Sequence, residues 1–166
     1  PRGCDATEQD LAYILSFAEC PMVIVENTTQ VRKILNIRDK LPLVSRIIAF
    51  DPVAEAERAD ASANGISIYQ FKDIVTEGHQ FRLDNPDRVE EELDKGQWDD
   101  LATIIFTSGT TGTPKGVMLS HGNFLTQLDE LQERIYLNPG DRALCVLPVW
   151  HAFQRLCEYV IIVQGA

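Results

Sequence analysis

The sequence predicts an α/β fold in which βαβ units build a largely parallel sheet covered by helices. Three observations predict it: short apolar, β-rich runs at 22–25, 46–50 and 102–106, helical apolar spacing between them, and cap or turn residues at the junctions. The chain has 166 residues, 45% of them hydrophobic, which is enough to bury a core.

The elements follow in order. Thr7 can cap a helix whose apolar positions Leu11, Ile14, Leu15 and Ala18 share one face, and Pro21 ends it. Met22 to Val25 reads as a strand. Thr28 or Thr29 can cap a second helix carrying Val31, Ile34 and Leu35, and Arg46 to Phe50 is a buried strand closed by Asp51-Pro52. Residues 52–65 are rich in alanine and acid, with a short strand expected at Ile66 to Tyr69. A polar insertion spans about 77–98, and its charge run Asp87 to Lys95 includes Glu90, Glu91, Glu92 and Asp94. Those carboxylates could form a metal or acid/base cluster, but the solvated face of a surface helix or linker is the better reading of such a run.

Pattern returns at Leu101. Ala102 to Phe106 is a strand, Gly116 to Leu119 a shorter one, and Phe124, Leu128, Leu131 and Ile135 line a helix stopped by Asn138-Pro139-Gly140. Ala143 to Leu147 reads as another buried strand ended by Pro148. The final helix sets Phe153, Leu156, Cys157, Val160 and Ile161 on one stripe. Two portions are expected, 1–100 and 101–166, together one incomplete domain. The start on Pro1 and the stop at Gly165-Ala166, where a further strand is due, suggest a piece of a longer protein.

Acidic residues outnumber basic ones by 25 to 15, for a formal net charge of -10, which disfavours nucleic acid and anionic membrane as partners. Cys4, Cys20, Cys145 and Cys157 form no C-x-x-C and read as free thiols, with Cys20 and Cys145 acting as small hydrophobes. A cytoplasmic setting fits best, with room for peripheral contact at the inner face of a membrane through residues outside this chain. No signal peptide pattern opens the chain, and the longest apolar stretch near its end is too short to span a bilayer.

The chemistry concentrates between Thr107 and Gly116, in Thr107-Ser108-Gly109-Thr110-Thr111-Gly112-Thr113-Pro114-Lys115-Gly116. Gly109 and Gly112 let the backbone turn sharply and aim several N–H groups at one anion. The hydroxyls of Thr107, Ser108, Thr110 and Thr111 add donors, and Lys115 adds a cation at the mouth. This is a polyphosphate cradle. It is not a Walker A loop, because Lys115 is followed by Gly116 and a strand precedes the next helix. A bare hairpin connection is the plainer alternative, though such loops usually run to about two to five residues.

Thr107 to Gly116 resembles, at all ten positions, the T-S-G-T-T-G-x-P-K-G signature of the adenylate-forming (AMP-binding) superfamily. The resemblance implies a place in the large N-terminal domain of such an enzyme. It also implies that Thr107, Ser108, Gly109, Thr110, Thr111, Gly112 and Lys115 bind ATP, that Lys115 is catalytic, and that Ser108 or Thr107 helps ligate Mg²⁺. For His121 it suggests a role in fixing a strand-to-helix turn, preferred over catalysis. Leu147-Pro148-Val149-Trp150-His151-Ala152-Phe153-Gln154-Arg155 is similar to the L-P-x-x-H-x-x-E-R stretch of long-chain acyl-CoA synthetases, as is the opening with Arg2-Gly3, Asp5, Thr7 and Tyr13-Ile14-Leu15. That branch implies a fatty acid and coenzyme A as further substrates and Trp150 and His151 beside the acyl pocket, against the simpler reading of Trp150 as core packing. Gln154 departs from the glutamate of the pattern, and any ion pair with Arg155 is lost. Activation of another carboxylic acid, or a non-catalytic nucleotide-binding module, remain the alternatives. Adenine, ribose and lid motifs are not found in this chain, so these residues alone are expected to turn nothing over.

Overall fold

The computed structural model describes Gly3, residues 5–107 and residues 114–166. It divides into two units, residues 5–94 and residues 95–166.

In the first unit Thr7 opens α1 (Glu8–Phe17) as expected: its hydroxyl accepts from Asp10 N–H at 3.1 Å while the Asp10 carboxylate accepts from Thr7 N–H at 3.2 Å. The cap of α2 (Thr28–Asn36) differs from the expectation. Asn27, not either threonine, accepts from Thr29 N–H at 3.0 Å and Gln30 N–H at 3.3 Å. Thr28 is turned outward instead, donating to the Pro52 carbonyl at 3.3 Å and accepting from Ala54 N–H at 3.2 Å, which fixes the entry to α3 (Glu55–Ala63).

Strands β1 (Met22–Val25), β2 (Arg46–Ala49) and β3 (Ser67–Gln70) lie in that order and are parallel throughout. Side chains alternate across a sheet, so one face carries Val23, Val25, Ile47, Ala49 and Ile68. That face packs on Val31, Ile34 and Leu35 of α2 and Ala61 of α3, the centre of a continuous buried cluster. Helices α2 and α3, the crossovers between consecutive neighbours, pack on that same face and leave Ile24 and Tyr69 of the other exposed. The expected α/β class with a parallel sheet is therefore observed.

Two polar links hold the covering helices. Arg58 of α3 donates to the carbonyls of Val53 (3.3 Å) and Ile68 (3.2 Å). Arg32 of α2 bonds Glu57 of α3 through Nε at 3.0 Å and also through Nη2, and this hydrogen bond holds the Glu57 carboxyl below its ordinary range. Helix α4 (Phe71–Asp84), which the sequence pattern did not assign, runs into the polar insertion, and the charge run there forms the surface helix α5 (Arg88–Leu93). Glu90, Glu91, Glu92 and Asp94 are all exposed, and Arg88 pairs within its own helix with Glu91 at 3.3 Å and Glu92 at 2.6 Å. The solvated-face reading holds.

The second unit joins an antiparallel ribbon of β4 (Leu101–Thr107) and β5 (Lys115–Ser120) to helices α6 (His121–Gln132) and α7 (Ala152–Gln164). Phe124 and Leu128 of α6 and Val160 of α7 are buried, with Phe124 edge-on to Tyr159 at 5.4 Å between ring centroids. The expected helical stripe on α7 is only partly buried, since Phe153 is exposed. Ala143 to Leu147 is not a strand; it has no regular structure, and Leu144 and Val146 lie open to solvent. A strand is stable only where a neighbour completes its ladder, and no strand pairs with this segment among the described residues. Cys145 is exposed with it, contrary to the expectation of a small buried hydrophobe, whereas Cys20 is half-buried and burial pushes its thiol upward.

Candidate functional site

Sequence and topology converge on the mouth of the β4–β5 hairpin. Isoleucines 104 and 105 with Phe106 favour the extended conformation of β4, and Val117, Met118 and Leu119 favour that of β5. Antiparallel pairing sets Phe106 opposite Gly116 and Thr107 opposite Lys115. Directly opposed residues project to one face with Cβ atoms about 5 Å apart. The Thr107 hydroxyl and the Lys115 ammonium thus emerge side by side, both exposed, where the connecting loop leaves and re-enters the ribbon. The hairpin alternative is correct as topology, but residues 108–114 make a connection longer than two-residue turns require.

Of the expected phosphate-binding residues, Thr107 and Lys115 are brought together. Ser108, Gly109, Thr110, Thr111 and Gly112 lie outside the described residues. Lys115 makes no ion pair among the described residues, which leaves its charge available to an anion.

The ribbon is anchored at its other end. Ser120 caps α6, accepting from Asn123 N–H at 3.3 Å, while Asn123 Oδ1 accepts from Ser120 N–H at 2.9 Å. The turn expected of His121 is thus made by Ser120 and Asn123; His121 contributes its backbone N–H, which donates to the Asp100 carbonyl at 3.0 Å, and its side chain is exposed. A Cβ at Gly122 would overlap the Trp98 indole, so a larger residue there would have to displace that side chain.

Trp150 and His151 sit at the corner leading into α7. Trp150 is half-buried and His151 exposed. His151 is the N-cap of α7, its Nδ1 accepting from Phe153 N–H at 3.2 Å, which assigns the ring proton to Nε2 in the neutral form. Its own N–H donates to the Pro148 carbonyl at 2.8 Å, closing the corner. Leu144 and Val146 before the corner, and Val149 and Phe153 in it, are exposed apolar side chains.

The sequence pattern marks Gln154 only by the carboxylate it lacks. The structure gives it a position: it is 4% exposed, its Oε1 accepting from Leu147 N–H at 3.2 Å and its Nε2 donating to Glu158 Oε1 at 3.1 Å. The signal available in the sequence was the i, i+4 spacing of Gln154 and Glu158, which puts them on one helix face.

A family profile described as AMP-binding enzyme matches residues 1–166, the whole chain. This chain belongs to the AMP-binding enzyme family. It is 31% identical over 170 residues to a chloroplastic long-chain-fatty-acid–acyl-carrier-protein ligase of Arabidopsis thaliana, across 99% of this chain and 23% of that protein. To long-chain-fatty-acid–CoA ligase 6 of Homo sapiens it is 30% identical over 164 residues, 93% of this chain and 22% of that one. This chain therefore spans about a quarter of the length of these curated relatives. Its fold is similar to part of the ATP-bound MatB of Rhodopseudomonas palustris, with a TM-score of 0.65 at 23% identity over 100% of this chain and 28% of that one. The adenylation domain of a Mycobacterium chelonae carboxylate reductase matches it with a TM-score of 0.67 at 21% identity, over 100% of this chain and 26% of that one. Among the described residues no helix is long and apolar enough to cross a membrane.

Proposed function

We propose that the protein of which these residues form part is an AMP-forming ligase that activates a long-chain fatty acid with ATP and transfers it to the thiol of coenzyme A. The observation that carries the reading is the pairing of Thr107 with Lys115 across the mouth of the loop that bears the complete signature. In the first step a carboxylate oxygen attacks the α-phosphorus of ATP and the α–β P–O bond breaks, so that pyrophosphate leaves with the bonding pair. The acyl-adenylate remains. In the second, the thiolate sulfur attacks the acyl carbon and the C–O bond to AMP breaks.

The developing charge lies on pyrophosphate, where fixed donors and a cation lower the barrier most. Lys115 supplies that cation, while Thr107, Ser108, Thr110 and Thr111 with the backbone at Gly109 and Gly112 supply the donors. Mg²⁺ fits this donor set: it takes few protein ligands alongside substrate phosphates, and the hydroxyl of Thr107 or Ser108 is a hard oxygen of the right kind. Bound there, it would neutralise phosphate charge.

Exposed apolar residues at Leu144, Val146, Val149 and Phe153, in the same segment as Trp150 and His151, support a long hydrocarbon as the acid's tail. Relatives at about 30% identity named as long-chain fatty acid ligases support the same class. A second thiol acceptor has its own support, since one of those relatives is named a ligase to acyl-carrier protein. A cytoplasmic location remains part of this proposal.

The test is ATP–pyrophosphate exchange on the full-length parent with acids of increasing chain length. The reading expects exchange to rise with chain length and peak among long fatty acids. Exchange peaking with acetate, or absent with every acid in a folded, ATP-binding parent, would remove it.

A further inference from the structure

We infer that Gln154, acting with Glu158, is the positioning residue of the Trp150–His151 corner, and so sets the acid's binding and not the nucleotide's. The inference rests on the proposed acid site at that corner. Gln154 lies in the first turn of α7, and its amide joins two things that are separate in sequence: the backbone N–H of Leu147, before the corner, and the carboxylate of Glu158, one turn further along the helix. Everything between Leu147 and Gln154 is held by this bridge and by the turn from His151 N–H to the Pro148 carbonyl.

The amide chemistry matters. A carbonyl oxygen and an NH₂ on one rigid plane can accept from Leu147 and donate to Glu158 together. A carboxylate at 154 could still accept from Leu147, but it would face the Glu158 carboxylate at hydrogen-bond distance with no proton to offer. The departure from the glutamate pattern is thus matched to its neighbour: the bridge needs one amide and one carboxylate, and positions 154 and 158 supply one each. Exchanging the two groups keeps a donor and an acceptor, and only doubling the carboxylate breaks the link.

The test uses the full-length parent with Gln154→Met, Gln154→Glu and Gln154→Glu/Glu158→Gln, reading KM for a long fatty acid, KM for ATP, and hydrogen exchange at the Leu147 amide. Gln154→Met keeps the volume and loses both bonds, which guards against a variant that merely misfolds. Expected for Gln154→Met are an acid KM raised about tenfold, the order of one unmatched buried partner, an ATP KM within about twofold, and faster exchange at Leu147. Gln154→Glu is expected to raise the acid KM as well, and the double variant to restore it. Faster Leu147 exchange with an unchanged acid KM overturns the inference, since the bridge would then be structural alone. A rise in both KM values, or a double variant no better than Gln154→Glu, overturns it also. A parent with no acid-dependent exchange at all removes the proposed ligase reading instead, and is recognisable because the wild type itself fails.

Discussion

The two units use their apolar residues differently. In residues 5–94 a parallel sheet and the helices over it converge on one continuous cluster, with Val31, Ile34, Leu35 and Ile47 almost wholly enclosed. In residues 95–166 the buried apolar side chains are Phe124, Leu128 and Val160, while Leu144, Val146, Met118 and Ile162 lie open. The signature loop and the Trp150–His151 corner belong to the second. The contrast teaches that residues 5–94 close a core of their own, while the proposed site residues lie in the unit that leaves apolar surface and charge uncommitted.

The largest effect that sharpens this contrast is a cavity in the core of the first unit. Ile34→Ala is expected to destabilise residues 5–94 by about 2–5 kcal/mol, read by amide exchange in β1 and β2. Equal loss of protection in β4 would break the contrast, because the two units would then share one cooperative core. Next come the helix caps, each worth about 1 kcal/mol. Asn27→Ala should loosen α2 while Thr29→Val leaves it unchanged, and Ser120→Ala should loosen α6 by a similar amount; a Thr29→Val loss matching that of Asn27→Ala would restore the cap to the threonine. The smallest is the Arg32–Glu57 link. Arg32 lowers the Glu57 carboxyl, so its contribution is fully present above the unfolded value of about 4.3 and is lost as pH falls through the lower folded value. Replacing Arg32 with methionine should flatten that acid-side dependence in a urea titration between neutral pH and pH 3, and an unchanged slope would show the pair to be idle.

The same contrast explains what the sequence revealed. In the first unit each β-rich run has its neighbour in the same unit, so local propensity and packing agree, and Thr7, Val31 and the strand at 46 were readable. Asn27 was passed over because Thr28 and Thr29 are also good caps; only the reach of its carbonyl to two N–H groups decides. Helix α4 was hidden because Phe71, Val75 and Phe81 are exposed and its apolar spacing is diluted by charge. In the second unit Ala143 to Leu147 has strand composition without a ladder partner, and pairing is a non-local property that composition does not carry. At the site, the signature was legible as a chemical list. The opposition of Thr107 and Lys115 required the register, and the bridge of Gln154 required its burial.

The most direct test of the central claim is ATP–pyrophosphate exchange by the full-length parent carrying Lys115→Ala, beside its unfolding midpoint. The account predicts exchange reduced about a hundredfold or more with the midpoint unchanged, because Lys115 is exposed and holds no partner in the fold among the described residues. Exchange at the wild-type rate in the folded variant would contradict it, and the hairpin mouth would then not be where pyrophosphate is held.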